Sequence, residues 1–143
     1  MKRIFFLLVF TFFAASIFAQ SADAILGKWM NSTGEAHIQI YKKDNKYYGK
    51  LAWIKNPNNA QGKPKTDINN PDSKLKSRSI LGLEFLQGFI YDDSIWENGT
   101  IYDPKSGKTY SCKITMTGTN QLNVRGFLGI SLIGRTDTWS RIN

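Results

Sequence analysis

The strongest constraint on this chain is its rhythm. From residue 25 onward, apolar and polar side chains alternate in short runs, and most runs stop at a signal rich in Gly, Asn, Asp or Pro. In residues 109–116, Tyr110, Cys112, Ile114 and Met116 take one side, and Thr109, Ser111, Lys113 and Thr115 the other. A period of two marks a half-buried strand. Residues 36–41 set Ala36, Ile38 and Ile40 against His37, Gln39 and Tyr41. In residues 47–54, Tyr47, Gly49, Leu51 and Trp53 share a face. Residues 25–30 read as the first strand, residues 121–128 as a strand with Leu122, Val124 and Leu128 inward, and residues 132–141 as the last strand.

Turn chemistry separates these runs. Lys43-Asp44-Asn45-Lys46 is a hairpin tip, Asn98-Gly99 reads as a turn between two strands, and Thr117-Gly118-Thr119-Asn120 reverses the chain. Asp103-Pro104-Lys105-Ser106-Gly107 is a tight turn in which Asp103 accepts backbone hydrogen bonds and Gly107 permits positive φ. Seven or eight short strands joined mainly by hairpins cannot stay a flat sheet, because the edges would recruit other chains and the apolar face would lack cover. Closure solves both problems. The expected fold is all-β, a small antiparallel barrel, with a two-sheet sandwich as the alternative. One domain over residues 21–143 suffices.

Two segments break the rhythm. Residues 1–20 carry basic Lys2 and Arg3, an almost unbroken apolar stretch and a small-residue region around Ala19, the pattern of a cleaved export signal. The expected location is therefore periplasmic or secreted, with no membrane span after cleavage. Residues 55–79 hold Pro57, Pro64 and Pro71, many Asn and six basic residues against two acids. A loop this long is often functional or mobile. A short helical turn over residues 71–76 is expected inside it, capped by Asn70. Residues 80–86 read as a strand or short helix, and Gly82 and Gly88 favour a bent segment.

The full chain carries +8, and without Lys2 and Arg3 it has 17 basic and 11 acidic residues. That excess favours contact with anionic surfaces or solutes. Nucleic acid is not an expected partner, since export removes it and no basic helix is visible. Cys112 is the one cysteine, so no internal disulfide forms, and a buried, inert thiol is expected.

Gly27-Lys28-Trp29 resembles the Gly-x-Trp motif that opens the first strand of lipocalins and their calycin relatives. In those proteins an Arg near the end of the last strand lies over that Trp and closes the barrel base. Arg135 and Arg141 are the candidates for this role, ahead of Arg125. A wider resemblance covers nearly all of residues 21–143. Tyr48-Gly49-Lys50, Asp67-Ile68-Asn69-Asn70-Pro71-Asp72, Ile80-Leu81-Gly82-Leu83, Ile101-Tyr102-Asp103-Pro104-Lys105-Ser106-Gly107-Lys108-Thr109-Tyr110, Val124-Arg125-Gly126 and Gly134-Arg135-Thr136-Asp137-Thr138-Trp139 are similar to the exported bacterial domain-of-unknown-function family 2147. The resemblance implies a lipocalin-like (calycin-like) barrel and brings no catalytic residues.

The expected structural set is Gly27, Trp29, Asp103, Gly107, Arg135 and Trp139. The expected ligand-binding set is Tyr47, Leu51, Trp53, Phe85, Phe89, Tyr110 and Met116, with Arg125 for an acidic head group. Asp67, Asn69, Asn70 and Asp72 offer closely spaced oxygen donors, but without the Gly and terminal Glu of an EF-hand loop they read as an Asx-rich, self-capping segment. His37 stands alone, and alternation places it on the opposite side from Cys112, so neither zinc nor a Cys–His nucleophile is argued. No catalytic residue, metal or cofactor is expected. The leading functional expectation is an exported, non-enzymatic barrel that binds a small lipophilic or anionic amphipathic molecule. The alternative is an envelope protein- or glycan-interaction module with a solid core.

Overall fold

A computed structural model describes residues 20–143, so the export signal expected over residues 1–20 lies outside the described residues except for Gln20. Eight strands form one closed antiparallel barrel in sequence order. They are β1 (Gly27–Met30), β2 (Ala36–Lys43), β3 (Lys46–Ile54), β4 (Glu84–Asp92), β5 (Ile95–Asp103), β6 (Lys108–Thr117), β7 (Gln121–Phe127) and β8 (Gly134–Ile142). β1 pairs with both β2 and β8, and the Trp29–Arg141 pair lies in the closing seam. Closure leaves no free edge.

Connections at the two ends differ. One end has short turns at 44–45, 93–94 and 118–120, and a 3-10 turn, Ala22–Ile25, lies across it. The other end has the longer loops 31–35, 55–83, 104–107 and 128–133. We call them base and mouth.

The base is solid. Ile25, Trp29, Phe89 and Trp96 are fully buried there. The Trp29 indole donates to the Ile25 carbonyl at 2.9 Å, and the Trp96 indole donates to the Ala22 carbonyl at 3.0 Å. The Arg141 guanidinium lies 4.2 Å over the Trp29 ring and donates to the carbonyls of Ala24, Leu26 and Thr119. One planar cation thus stacks on the indole and satisfies three backbone acceptors. Gly27 makes this fit possible. Its φ of +123° is costly for a side chain, and a Cβ there would stand 3.1 Å from Arg141 Nη1.

Three expectations are corrected. Asn98-Gly99 is not a turn: the chain reverses at Asp93–Ser94 (φ 46° and 67°), and Asn98-Gly99 is a bulge inside the continuous β5. Trp53 does not face inward. β3 carries one extra residue opposite the His37–Ile38 step, so Leu51 stays inside while Trp53 turns out beside His37, with ring centroids 4.5 Å apart. Residues 132–133 are not strand, since β8 starts at Gly134 and residues 128–133 form an exposed loop.

Candidate functional site

The mouth half of the barrel is hollow. A cavity of about 1300 Å³ opens between the loops. Its wall is mainly apolar, built from Ile38, Leu51, Phe85, Ile101, Val124 and Trp139. The reason is local. At the base, β1, β4 and β5 each send a large ring into the axis, and the 3-10 turn fills what remains. At the mouth, β7 offers Val124 and then Gly126, which leave space beside the rings of Phe85 and Trp139.

Charged and polar side chains share the lining with this apolar wall. Asp137 lines the cavity and accepts from the Trp139 indole at 2.7 Å. Arg135 lies two residues nearer the mouth on the same strand face. Lys55, Lys65 and Lys105 also line the opening, with Glu35 and Asp103 as acids. Asp103 is occupied by its own turn, accepting from the Lys105 amide at 3.0 Å and the Ser106 hydroxyl at 2.7 Å.

The long 55–83 loop is tethered over one side of this mouth. Its anchor is Asp67, whose side chain is fully buried. Tyr102 of β5 donates to it at 2.6 Å, Asn70 at 2.8 Å and Arg78 at 2.8 Å. Burial alone would push this carboxyl up; the three donors and the Arg78 charge outweigh it and hold it below the usual carboxylate range. Burial and the same carboxylate push Tyr102 up. A second clamp joins the loop to the β5–β6 turn: Asn69 donates to the carbonyls of Pro104 and Lys105 at 3.2 and 3.0 Å. Gly107 leaves room for it, since a Cβ there would fall 2.0 Å from the Asn69 carbonyl oxygen. The long loop is thus clamped at Asp67, Asn69, Asn70 and Arg78.

The Asx-rich stretch mostly satisfies its own backbone. Asn70 accepts from the Asp72 amide, and Asp72 from the Lys74 amide, which makes Asp72 rather than Asn70 the cap of the short 3-10 turn Ser73–Leu75. Among the described residues, no three His, Cys, Asp or Glu side chains gather as a metal site. Cys112 is buried, and burial pushes its thiol up to about 12. His37 lies outside the barrel against Trp53, across the sheet from it.

The expected ligand set divides among three places. Leu51, Phe85 and Tyr110 line the cavity. Tyr47 and Phe89 are buried but do not line it; Tyr47 donates to Asp23 at the base at 2.5 Å. Met116 packs half-buried against the core, and Trp53 is outside. Arg125 also points outward, bonded to the carbonyls of Ser131 and Leu132 and to the Thr136 hydroxyl. Of the two candidates for the place over Trp29, Arg141 holds it and Arg135 of the expected structural set does not, because Arg141 stands opposite Trp29 in the β1–β8 register. Trp139 is a cavity wall, 6.2 Å from Phe85 between ring centroids, rather than a base residue. Sequence reasoning gave Asp137 no distinct role; its position two residues before an inward Trp was the available signal. Ile101 and Phe127 were also missed as cavity walls.

A family model described as an uncharacterized protein conserved in bacteria (DUF2147) matches residues 27–141. The chain belongs to the DUF2147 family. The matched span runs from Gly27 to Arg141, the two residues that meet beside Trp29 at the base of this DUF2147 barrel. Among solved structures, the chain is similar to protein HP1028 of Helicobacter pylori, described as belonging to the lipocalin family. The TM-score is 0.71 at 22% identity, over 82% of each chain. This likeness extends to the fold, an eight-stranded closed barrel of lipocalin type. No curated protein matches the sequence.

Proposed function

We propose that this DUF2147 protein is an exported binding barrel whose mouth half takes up one small lipophilic or amphipathic molecule. The observation that carries the reading is the pairing of a filled base with an apolar cavity of about 1300 Å³ at the mouth. That volume suits a ligand with a long apolar body. Burying about 400 Å² of apolar ligand surface would gain roughly 10 kcal/mol, against association and ordering costs of about 4 kcal/mol or more. The net, about 6 kcal/mol at most, corresponds to dissociation constants of tens of micromolar or weaker for such a contact area.

Arg135, Lys55, Lys65 and Lys105 at the opening favour an anionic head group, while Asp137 offers a deeper acceptor for a hydroxyl or amine. The reading assigns no catalytic group. A solid-core interaction module fits less well, because its interior would be filled at both ends.

The test is native mass spectrometry of protein purified from its own host envelope, followed by displacement of an apolar fluorescent dye with fatty acids. Ile101 is half-buried and lines the cavity, so Ile101→Trp fills space without rebuilding the base. One bound molecule, competed by fatty acids and lowered at least tenfold in affinity by Ile101→Trp, is the expected result. No bound mass and no dye uptake would remove the proposal.

A further inference from the structure

The β7–β8 loop carries an apolar surface that the barrel does not use. Leu128, Ile130, Leu132 and Ile133 are 64, 58, 86 and 70% exposed within six residues. Scattered single aliphatics on a surface are ordinary, but four on one loop tip form a patch. This tip is held, not frayed. The Arg125 guanidinium donates to the Ser131 carbonyl at 2.6 Å, the Leu132 carbonyl at 3.3 Å and the Thr136 hydroxyl at 2.9 Å, and the Lys113 ammonium reaches the Ser131 hydroxyl at 3.3 Å. Arg125 thus ties down the loop backbone and Lys113 holds the Ser131 side chain, while the loop's aliphatic side chains face solvent.

The patch runs into the cavity, since Leu128 and Ile133 line the opening as well. Lys55, Lys65, Lys105 and Arg135 share that opening, and none of them forms a salt bridge among the described residues. Three acids, Glu35, Asp103 and Asp137, line it too, so the four cations leave the opening with a small positive excess. An aliphatic tip beside a basic rim matches the chemistry of an anionic bilayer surface, where apolar side chains enter the headgroup boundary and cations meet lipid charge. The net positive charge of the chain has the same sign.

We infer that the β7–β8 loop docks the barrel mouth onto an anionic lipid bilayer, so that the cavity opens at the membrane surface. The inference goes beyond ligand binding and does not require the cavity to be occupied.

Co-sedimentation with vesicles tests it, using phosphatidylglycerol–phosphatidylethanolamine and pure phosphatidylcholine side by side. The full-length mature protein is compared with Ile130→Asp/Leu132→Asp. Neither residue lines the cavity, and their exposure makes folding insensitive to the change. The wild type is expected to bind the anionic vesicles, to weaken as salt rises, and to bind phosphatidylcholine at least about tenfold less. The double variant is expected to lose anionic binding about tenfold or more while keeping dye uptake. Ile101→Trp is expected to lose dye uptake and keep vesicle binding, which separates failure of this inference from failure of the cavity reading. Vesicle binding absent in the wild type, or retained by the double variant, overturns the inference. So does a wild-type dimer that the double variant splits without any vesicle binding, since the patch would then cover a second copy.

Discussion

The base and the mouth of this barrel are made from the same eight strands and reach opposite ends. At the base, three large rings and a 3-10 turn fill the axis, and Arg141 ties the turn, Trp29 and the 118–120 turn together. At the mouth, the strands diverge into long loops around an apolar void, and the polar clamps hold loops to strand ends instead of filling space. The contrast teaches that closure alone does not decide between a packed rod and a container. The choice depends on which residue sits at each inward position, and on what the turns bring over the end.

Truncation should therefore cost unequal amounts at the two ends. Trp96→Ala removes a fully buried ring from the base and leaves an enclosed void, with an expected loss of about 4–5 kcal/mol in urea unfolding. Trp139→Ala widens a cavity that already exists, so the loss should be about half as large, roughly 2 kcal/mol. Equal losses would break the distinction.

Arginine replacement sharpens the same comparison. Arg141→Met strips three carbonyls of their donor and uncovers Trp29, for an expected loss of about 2–3 kcal/mol. Arg135→Met at the exposed mouth should stay within about 0.5 kcal/mol. Its effect should appear in the affinity for anionic ligands instead.

Much of this was legible from the chain. Alternation over β6 placed Tyr110, Cys112 and Ile114 correctly because β6 carries no bulge in its pairing with β7. It failed at Trp53 because one extra residue in β3 turns every later side chain to the other face, and nothing in 47–54 announces that residue. It failed at Asn98-Gly99 because the same dipeptide chemistry serves a hairpin turn and a bulge, while the real turn used Asp93-Ser94 at positive φ. The Gly-x-Trp motif pointed to a closing arginine, but choosing Arg141 over Arg135 required the β1–β8 register. The cavity was the least legible feature, since empty volume is a property of all inward side chains together.

Among the buried groups, the loop clamp gives the smallest predicted loss of stability. Asp67 is held below its ordinary value near 3.9, so its contribution to stability is complete above that pH and is lost as the pH falls toward its folded-state value. Thermal unfolding of wild type and Asp67→Asn should differ by about 1–2 kcal/mol from pH 8 down to about 4, and the gap should close below that. A gap that opens on acidification would have the wrong sign.

The most direct test follows the four tryptophan indoles in a two-dimensional ¹H–¹⁵N spectrum while a medium-chain alkyl carboxylate is added. A hollow mouth over a solid base predicts that the Trp139 indole shifts to saturation while those of Trp29 and Trp96 stay fixed. Movement of the two base indoles with Trp139, or no response from any of the four, would contradict it.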